Sequence, residues 1–318
     1  MEKNAKIVVF GARGLIGKEI VKELLANSFT NVFPCGHEQL ELINQAAVNT
    51  FFEVNKPEYI FFCATRSITN FETGECIDAV EMYSNIIMQL NVMEAARIYG
   101  VKKAAFLGSA MLYPWTDKYN NILLNEDLLD DFNITQYRPS MKSTVLSKYV
   151  SMKMCHYYYA QYGCKYIYAI PTHIYGGFAN RKNLYFLEDI VINLCNAKKN
   201  NEEVVKLDIF GEGKAKKQIL HVSDCANAII TAMEKYEDYS LPINIGSQEI
   251  VSWSDVVREV CQIIDYKGKV LFNTEHQERM ENRICDIRRL ESLGWKQQIS
   301  IHDGLESLCE EWFQTNGK

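Results

Sequence analysis

The chain opens on a short apolar run, Lys6 to Phe10, closed by Gly11, and then sets Ile16, Ile20 and Leu24 at helical spacing within Leu15 to Leu25. That order predicts strand, tight turn and helix. A second strand is expected at Asn31 to Cys35 and a helix at Gln45 to Val54. The unbroken apolar run Tyr59 to Ala64 predicts a strand covered on both faces, as parallel sheets require. The alternation then continues with a helix at Ala79 to Tyr99, a strand at Ala104 to Leu107, a helix at Thr144 to Tyr162 and a strand at Tyr166 to Ile170 that ends at Pro171. Strands alternating with helices predict an α/β fold built on a doubly wound parallel sheet.

After Pro171 the rhythm loosens. A Gly-Gly step at 176–177, a helix near Glu188 to Ala197 and a strand at Val204 to Phe210 predict a smaller α/β lobe. Val222 to Lys235 reads as a helix returning to the first unit, with Asp224 suited to capping its start, before Ser252 to Ile264 resumes the lobe. The expected division is therefore interleaved. Residues 1–171 with about 218–248 form one unit, and about 172–217 with 249–318 form the other. There is no internal repeat or long linker, and Lys214 to Lys217 is the one conspicuous charge run.

Composition narrows the function classes. With 318 residues, 47% apolar and 23% charged, the chain has the balance of a packed globular protein. A formal net charge of −6 argues against nucleic acid and anionic membrane as partners and favours a small ligand. The ten cysteines form no C-x-x-C pair and no metal-ligand spacing, so reduced thiols and no metal centre are expected. MEKNAKIVVF runs directly into a strand without a secretory pattern, and no apolar span of membrane length follows, so a cytoplasmic location is expected.

The chemistry begins at GARGLIG, between the first strand and first helix. Gly11 suits a tight turn, Gly14 a close approach to a pyrophosphate, and Gly17 close helix packing, while the helix start at Leu15 and Ile16 offers oriented N–H groups. This is the signature of a Rossmann-type dinucleotide site. Arg13, a guanidinium inside that loop, matches a 2′-phosphate and favours NADP(H) over NAD(H). Cys35-Gly36-His37-Glu38, ending strand two, offers neither a clear Asp for a free ribose nor an Arg for a phosphate, so NAD(H) stays open.

Further motifs follow in order: LELIN after strand two, Asn85 and Asn91 on the long helix, FLGSAMLYP at 106–114, PTHIYG at 171–176, FGEG at 210–213, LHVSD at 220–224 and LGW at 293–295. Together they resemble the extended short-chain dehydrogenase/reductase family, in its NAD-dependent epimerase/dehydratase branch, and there the GDP-L-fucose synthases and related sugar-nucleotide 4-keto reductases. The resemblance implies a Ser, a Tyr and a Lys four residues beyond it, with Tyr passing the proton, Ser holding the substrate oxygen, and Lys anchoring the ribose. Ser109 and Lys148 match the family Ser and Lys; the Tyr position is Thr144. Tyr149 and Lys153 share the four-residue spacing, but Lys148 keeps the family distance to Tyr162-Gly163 and Pro171, so Thr144 and Lys148 are read as the catalytic positions beside Ser109. A threonine hydroxyl is a far weaker acid than a phenol of pKa about 10.

Family cofactor contacts map onto Gly11, Arg13, Gly14, Leu15, Ile16, Gly17, Ala64, Lys148, Pro171 and His173, the last also a candidate acid or base in place of the family Asn. Where family epimerases carry a Cys and a His, this chain has Met111 and Leu187, neither of which carries a proton, so two-centre epimerisation is not expected. On the substrate side the resemblance implies Met111, Phe210, Lys217 and Arg283 around a nucleotide diphosphate sugar. The family KPDG stretch is HQER from His276 to Arg279, so guanine recognition does not carry over.

The expected activity is NAD(P)H-dependent reduction of a nucleotide-linked 4-keto-6-deoxy sugar without epimerisation, in sugar-nucleotide biosynthesis for surface polysaccharide. A dehydratase or other reaction on tightly held cofactor, and a silent sugar-nucleotide-binding member, stay open because of Thr144. The resemblance also implies a homodimer through the two long helices, with Tyr149, Met152, His156 and Tyr159 as a compatible face.

Overall fold

The computed structural model describes residues 1–66, 78–114, 116, 119, 121–177, 186–273 and 282–316. In chain order β1 (Ile7–Phe10), α1 (Leu15–Ala26), β2 (Val32–Cys35), α2 (Gln45–Asn55), β3 (Tyr59–Phe62), α3 (Asp78–Ile98) and β4 (Lys103–Leu107) alternate as the pattern predicts. There follow β5 (Leu123–Leu124), α4 (Lys142–Tyr162), β6 (Tyr166–Pro171), β7 (His173–Tyr175), α5 (Phe186–Lys199), β8 (Val204–Phe210), β9 (Lys216–Lys217) and β10 (Ile219–His221). The rest comprises α6 (Val222–Lys235), β11 (Ile243–Ile245), β12 (Val251–Ser252), α7 (Trp253–Ile263), β13 (Lys269–Asn273), β14 (Ile284–Cys285), α8 (Arg288–Ser292) and α9 (Ile301–Asn316).

Six strands form one sheet in the order β11-β6-β4-β3-β1-β2, and every neighbouring pair is parallel. The strands β1, β3 and β6 are buried along their whole length, which is why their sequences are unbroken apolar runs rather than alternating ones. One face packs Phe10, Phe62 and Phe106 against α2, α3 and α4; the other packs Val9, Phe61 and Ile167 against α1 and α6, with Leu290 of α8 and Trp295 joining that second core. A third core lies under the lobe, where Val205, Leu207 and Ile209 alternate inward from β8 against α5, α7 and α9.

One local expectation is corrected. Asp224 does not cap α6: the cap is His221, whose side chain accepts from Ser223 N at 3.3 Å. Asp224 is buried and accepts from the amides of Gln298 and Ile299 at 3.0 and 2.8 Å, a tie across 74 residues that local spacing cannot disclose. The helix face at Tyr149, Met152, His156 and Tyr159 is largely occupied within the chain. Tyr149 stacks on Phe132 at 3.8 Å, His156 Nδ1 lies 3.1 Å from Ser240 O, and Tyr159 meets Tyr239 at 5.5 Å. The exposed aromatics of α3 and α4 are Tyr83, Tyr157, Tyr159 and Tyr162, so Tyr159 of that face stays open to solvent.

The sheet ends at β11 with a buried asparagine. Asn244 Oδ1 accepts from Tyr113 Oη at 2.9 Å, its Nδ2 donates to the carbonyls of Leu124 and Asp286, each at 3.0 Å, and its backbone N–H donates to Glu126 Oε1 at 2.8 Å. Among the described residues no helix is long and apolar enough to cross a membrane.

Candidate active site

The turn after β1 is shaped by what passes beside it. Gly11 has φ +77°, and a Cβ there would lie 2.6 Å from the backbone nitrogen of Ala64 at the end of β3. Gly17 packs the first turn of α1 onto the same bend, where a Cβ would lie 2.3 Å from Gly11 O. Gly14 precedes α1 in an extended conformation and no side chain caps the helix, so its first N–H groups, at Leu15, Ile16 and Gly17, face outward with the positive end of the helix dipole. A cavity of about 490 Å³ adjoins this turn, bounded by Gly11, Arg13, Gly14, Leu42, Ala64 and Met88. An uncapped helix start beside a cavity of that size fits a dinucleotide pyrophosphate.

The cavity walls are fixed from α3. Asn85 accepts from the amide of Arg66 at 2.8 Å and donates to its carbonyl at 3.0 Å, clamping the chain after Ala64. Asn91 Nδ2 donates to the carbonyls of Leu42 and Ile43 at 2.9 and 3.1 Å, holding the opposite wall. At the mouth, Arg13 forms a two-pronged ion pair with Glu38, both side chains exposed.

Lys148 reaches the end of β4 beside Ser109, and Thr144 lies one turn earlier on the same helix. Ser109 caps a short 3-10 turn, its Oγ accepting from Met111 N at 3.2 Å. Lys148 Nζ lies 3.4 Å from Gly108 O, and Tyr168 Oη fixes the helix there by donating to Lys148 O at 2.7 Å. Burial pulls the Lys148 pKa down to about 8, against the opposing pull of Glu81. Thr144, four residues earlier on the same face of α4, donates from Oγ1 to Glu81 Oε1 at 2.6 Å. Tyr149 and Lys153 are engaged elsewhere, in the Phe132 stack and in an ion pair with Asp130 at 2.7 Å.

Across the cleft, Pro171 ends β6 and His173 follows on β7 with its surface open to the cleft. Withdrawal of the ring from bulk water, then the charges of Lys217 and Arg283, push the His173 pKa down to about 4 and keep the ring neutral. Lys217 and Arg283 are themselves buried and bridge one another in parallel register. The Arg283 guanidinium donates to the carbonyls of Pro114, Ala110 and Tyr113 at 2.7, 3.2 and 2.5 Å. Phe210 is exposed at the end of β8, Met111 is half-buried, and Leu187 is buried in the lobe core. His276 to Arg279 lie outside the described residues.

Sequence reasoning placed Ser109, Thr144 and Lys148 together but missed Glu81, whose only signal was its position one helical turn before Asn85. It also missed Glu188, a buried carboxyl that accepts from Gly176 N at 3.1 Å and whose pKa burial raises to about 7.

A parallel doubly wound sheet with an open glycine turn and a Ser-Lys pair beside it defines a dinucleotide-dependent enzyme of Rossmann type. The chain belongs to the NAD dependent epimerase/dehydratase family, which it matches over residues 7–246. It is 31% identical to GDP-L-fucose synthase 1 of Arabidopsis thaliana over 99% of this chain and 95% of that protein. It is 26% identical to GDP-L-fucose synthase of Escherichia coli over 98% and 97% of the two chains. Among solved structures it resembles the GDP-mannoheptose C4 reductase of Campylobacter jejuni with NADP bound, at 28% identity and TM-score 0.84 over 99% of each chain.

Proposed function

We propose that this protein reduces the 4-keto group of a nucleoside-diphosphate sugar with NADPH and does not epimerise the neighbouring carbons. The observation that carries the reading is Lys148 set against Gly108 O beside Ser109, next to the cavity at the glycine turn. Ser109 Oγ holds the substrate oxygen, the amides at the start of α1 grip the pyrophosphate, and Lys148 takes the ribose hydroxyls. A bound reduced nicotinamide supplies the hydride. The lack of a titratable group at Met111 and Leu187 supports reduction without proton abstraction at the adjacent carbons.

For the cofactor we read NADP(H) over NAD(H). The Arg13–Glu38 pair is exposed and screened by water, so it holds the fork weakly and a 2′-phosphate dianion displaces the carboxylate from it. Lys217 supports recognition of the substrate diphosphate, with Phe210 as an aromatic wall and His173 as a neutral donor at the cofactor side. The reading includes a homodimer and a cytoplasmic location; free cysteines at all described positions accord with a reducing compartment.

The test is incubation with NADPH or NADH and a panel of 4-keto nucleotide sugars, GDP-linked ones first, following nicotinamide absorbance and product mass. A mass gain of two hydrogens, one from the hydride and one from the proton, with stoichiometric oxidation is expected. Tight binding of both ligands without oxidation would establish the silent-member reading instead. Sedimentation velocity checks the dimer.

A further inference from the structure

Thr144 stands where the family resemblance calls for a phenol, and its hydroxyl is not left to itself. It is bonded at 2.6 Å to Glu81 Oε1, from a helix 63 residues earlier in the chain. We infer that Glu81 and Thr144 form a proton relay that replaces the missing tyrosine, Glu81 acting through the threonine hydroxyl on the substrate oxygen. The inference rests on the reductase reading above.

Three placements support it. Glu81 and Asn85 are one turn apart on α3, and Asn85 clamps Arg66 just past Ala64, so this end of α3 borders the cofactor cavity. Thr144 and Lys148 are likewise one turn apart on α4, and Lys148 reaches the carbonyl next to Ser109. The Glu81 charge acts on Lys148, opposing the effect of burial there. The cation on α4 that the Glu81 charge reaches is therefore Lys148, while Arg66, after β3, is held by its backbone to Asn85. A carboxyl and a hydroxyl thus meet between α3 and α4, with an ammonium one turn along α4 that reaches the carbonyl preceding Ser109. Glu81 is half-buried, which leaves it a route to water.

The step balances as follows. As hydride arrives at the carbonyl carbon, a C–H bond forms and the C=O π pair moves onto oxygen. Thr144 Oγ gives its proton to that oxygen, directly or through one water, and takes the proton of the Glu81 carboxyl. The ketone is reduced to a secondary alcohol, the nicotinamide is oxidised, and Glu81 is left as a carboxylate accepting from Thr144, which is the arrangement seen here. A hydronium ion from solvent then returns a proton to Glu81, so the reaction consumes one proton from the medium for each hydride transferred. A threonine alone is too weak an acid to do this at neutral pH. With a carboxyl behind it, the hydroxyl only has to pass a proton on.

Glu81→Gln is nearly isosteric and still accepts the Thr144 hydrogen bond, so it separates holding the threonine from exchanging a proton. In the cofactor-free protein, NMR titration of isotope-labelled lysine is expected to show the Lys148 amine titrating at lower pH in Glu81→Gln than in wild type, because a neighbouring negative charge is gone. An unchanged midpoint overturns the inference. With the 4-keto nucleotide sugar that wild type reduces, Glu81→Gln and Thr144→Val are each expected to lower kcat by about 10²- to 10⁴-fold with little change in KM. The double variant should be no worse than either single one, and Thr144→Ser should recover turnover to within about tenfold of wild type. Calorimetric NADPH binding confirms that each variant is folded. Full activity in Glu81→Gln overturns the relay and leaves the reductase reading standing. A wild type that oxidises NADPH with no 4-keto nucleotide sugar overturns both.

Discussion

Arg283 Nη1 donates to the carbonyl oxygen of Pro114 at 2.7 Å, so the strand entering β14 holds the end of the loop that begins at Ser109. The same guanidinium holds the carbonyls of Ala110 and Tyr113, three acceptors from one planar fork. Sequence reading assigned Arg283 to the substrate. In the structure the guanidinium also braces the loop that carries Ser109, so an effect on substrate through the position of Ser109 is expected beside any direct contact.

Arg283→Ala is therefore expected to cost about 2–4 kcal/mol of stability by leaving buried carbonyls short of donors. Chemical denaturation measures that loss. Steady-state kinetics should show kcat falling more than KM rises, and direct titration should show NADPH affinity nearly unchanged. Loss confined to KM would return Arg283 to a pure substrate contact.

Gly17→Ala places a methyl 2.3 Å from Gly11 O, a backbone atom that cannot swing aside. The overpacking is expected to cost about 1–3 kcal/mol and to bend the turn away from the pyrophosphate. Thermal unfolding and NADPH calorimetry on one sample test both effects. Normal binding in a destabilised variant would mean that packing and phosphate grip are separable here.

Arg13→Ala should weaken NADPH binding while leaving NADH nearly unaffected, because only the phosphorylated ribose needs the fork. Glu38→Gln should act in the opposite sense, releasing Arg13 and removing a like charge from the phosphate's approach. Equal losses for both cofactors in Arg13→Ala would show that the guanidinium serves the pyrophosphate instead.

Glu188 gives a pH signature. Its folded pKa of about 7 lies above the ordinary 4.5, so the native state holds that proton more tightly than the unfolded chain. The stability this provides is complete below pH 4.5 and is lost as pH rises through 7. Glu188→Gln, which still accepts from Gly176 N, should match wild type near pH 4 and be more stable by up to about 3 kcal/mol at pH 8. Melting temperatures across that range decide it; a gap that does not widen with pH would show that the carboxyl is not held neutral.

The sheet and most helices were legible because parallel strands must be apolar on both faces and their covering helices apolar on one. Tyr59–Phe62 and Gln45–Asn55 are examples in which local pattern and burial agree. The glycine turn was legible for a similar reason, since Gly11 and Gly17 are fixed by contacts within a short stretch and one neighbouring strand. Glu81 and Asp224 were not legible. Each is defined by a partner more than 60 residues away, and nothing in the spacing around a lone acidic residue says which helix will cross it. Arg283 was half legible: its charge and place pointed to the cleft, but three backbone carbonyls of a loop carry no mark in a sequence.

The asparagine at the sheet's margin has a last consequence. An outermost parallel strand normally offers a row of amides to any passing extended chain. Here the amide of Asn244 is already taken by a carboxylate and its side chain by three further segments, over a strand only three residues long. That border is closed to recruitment of another strand, so crowding should not zip copies of this protein together along β11.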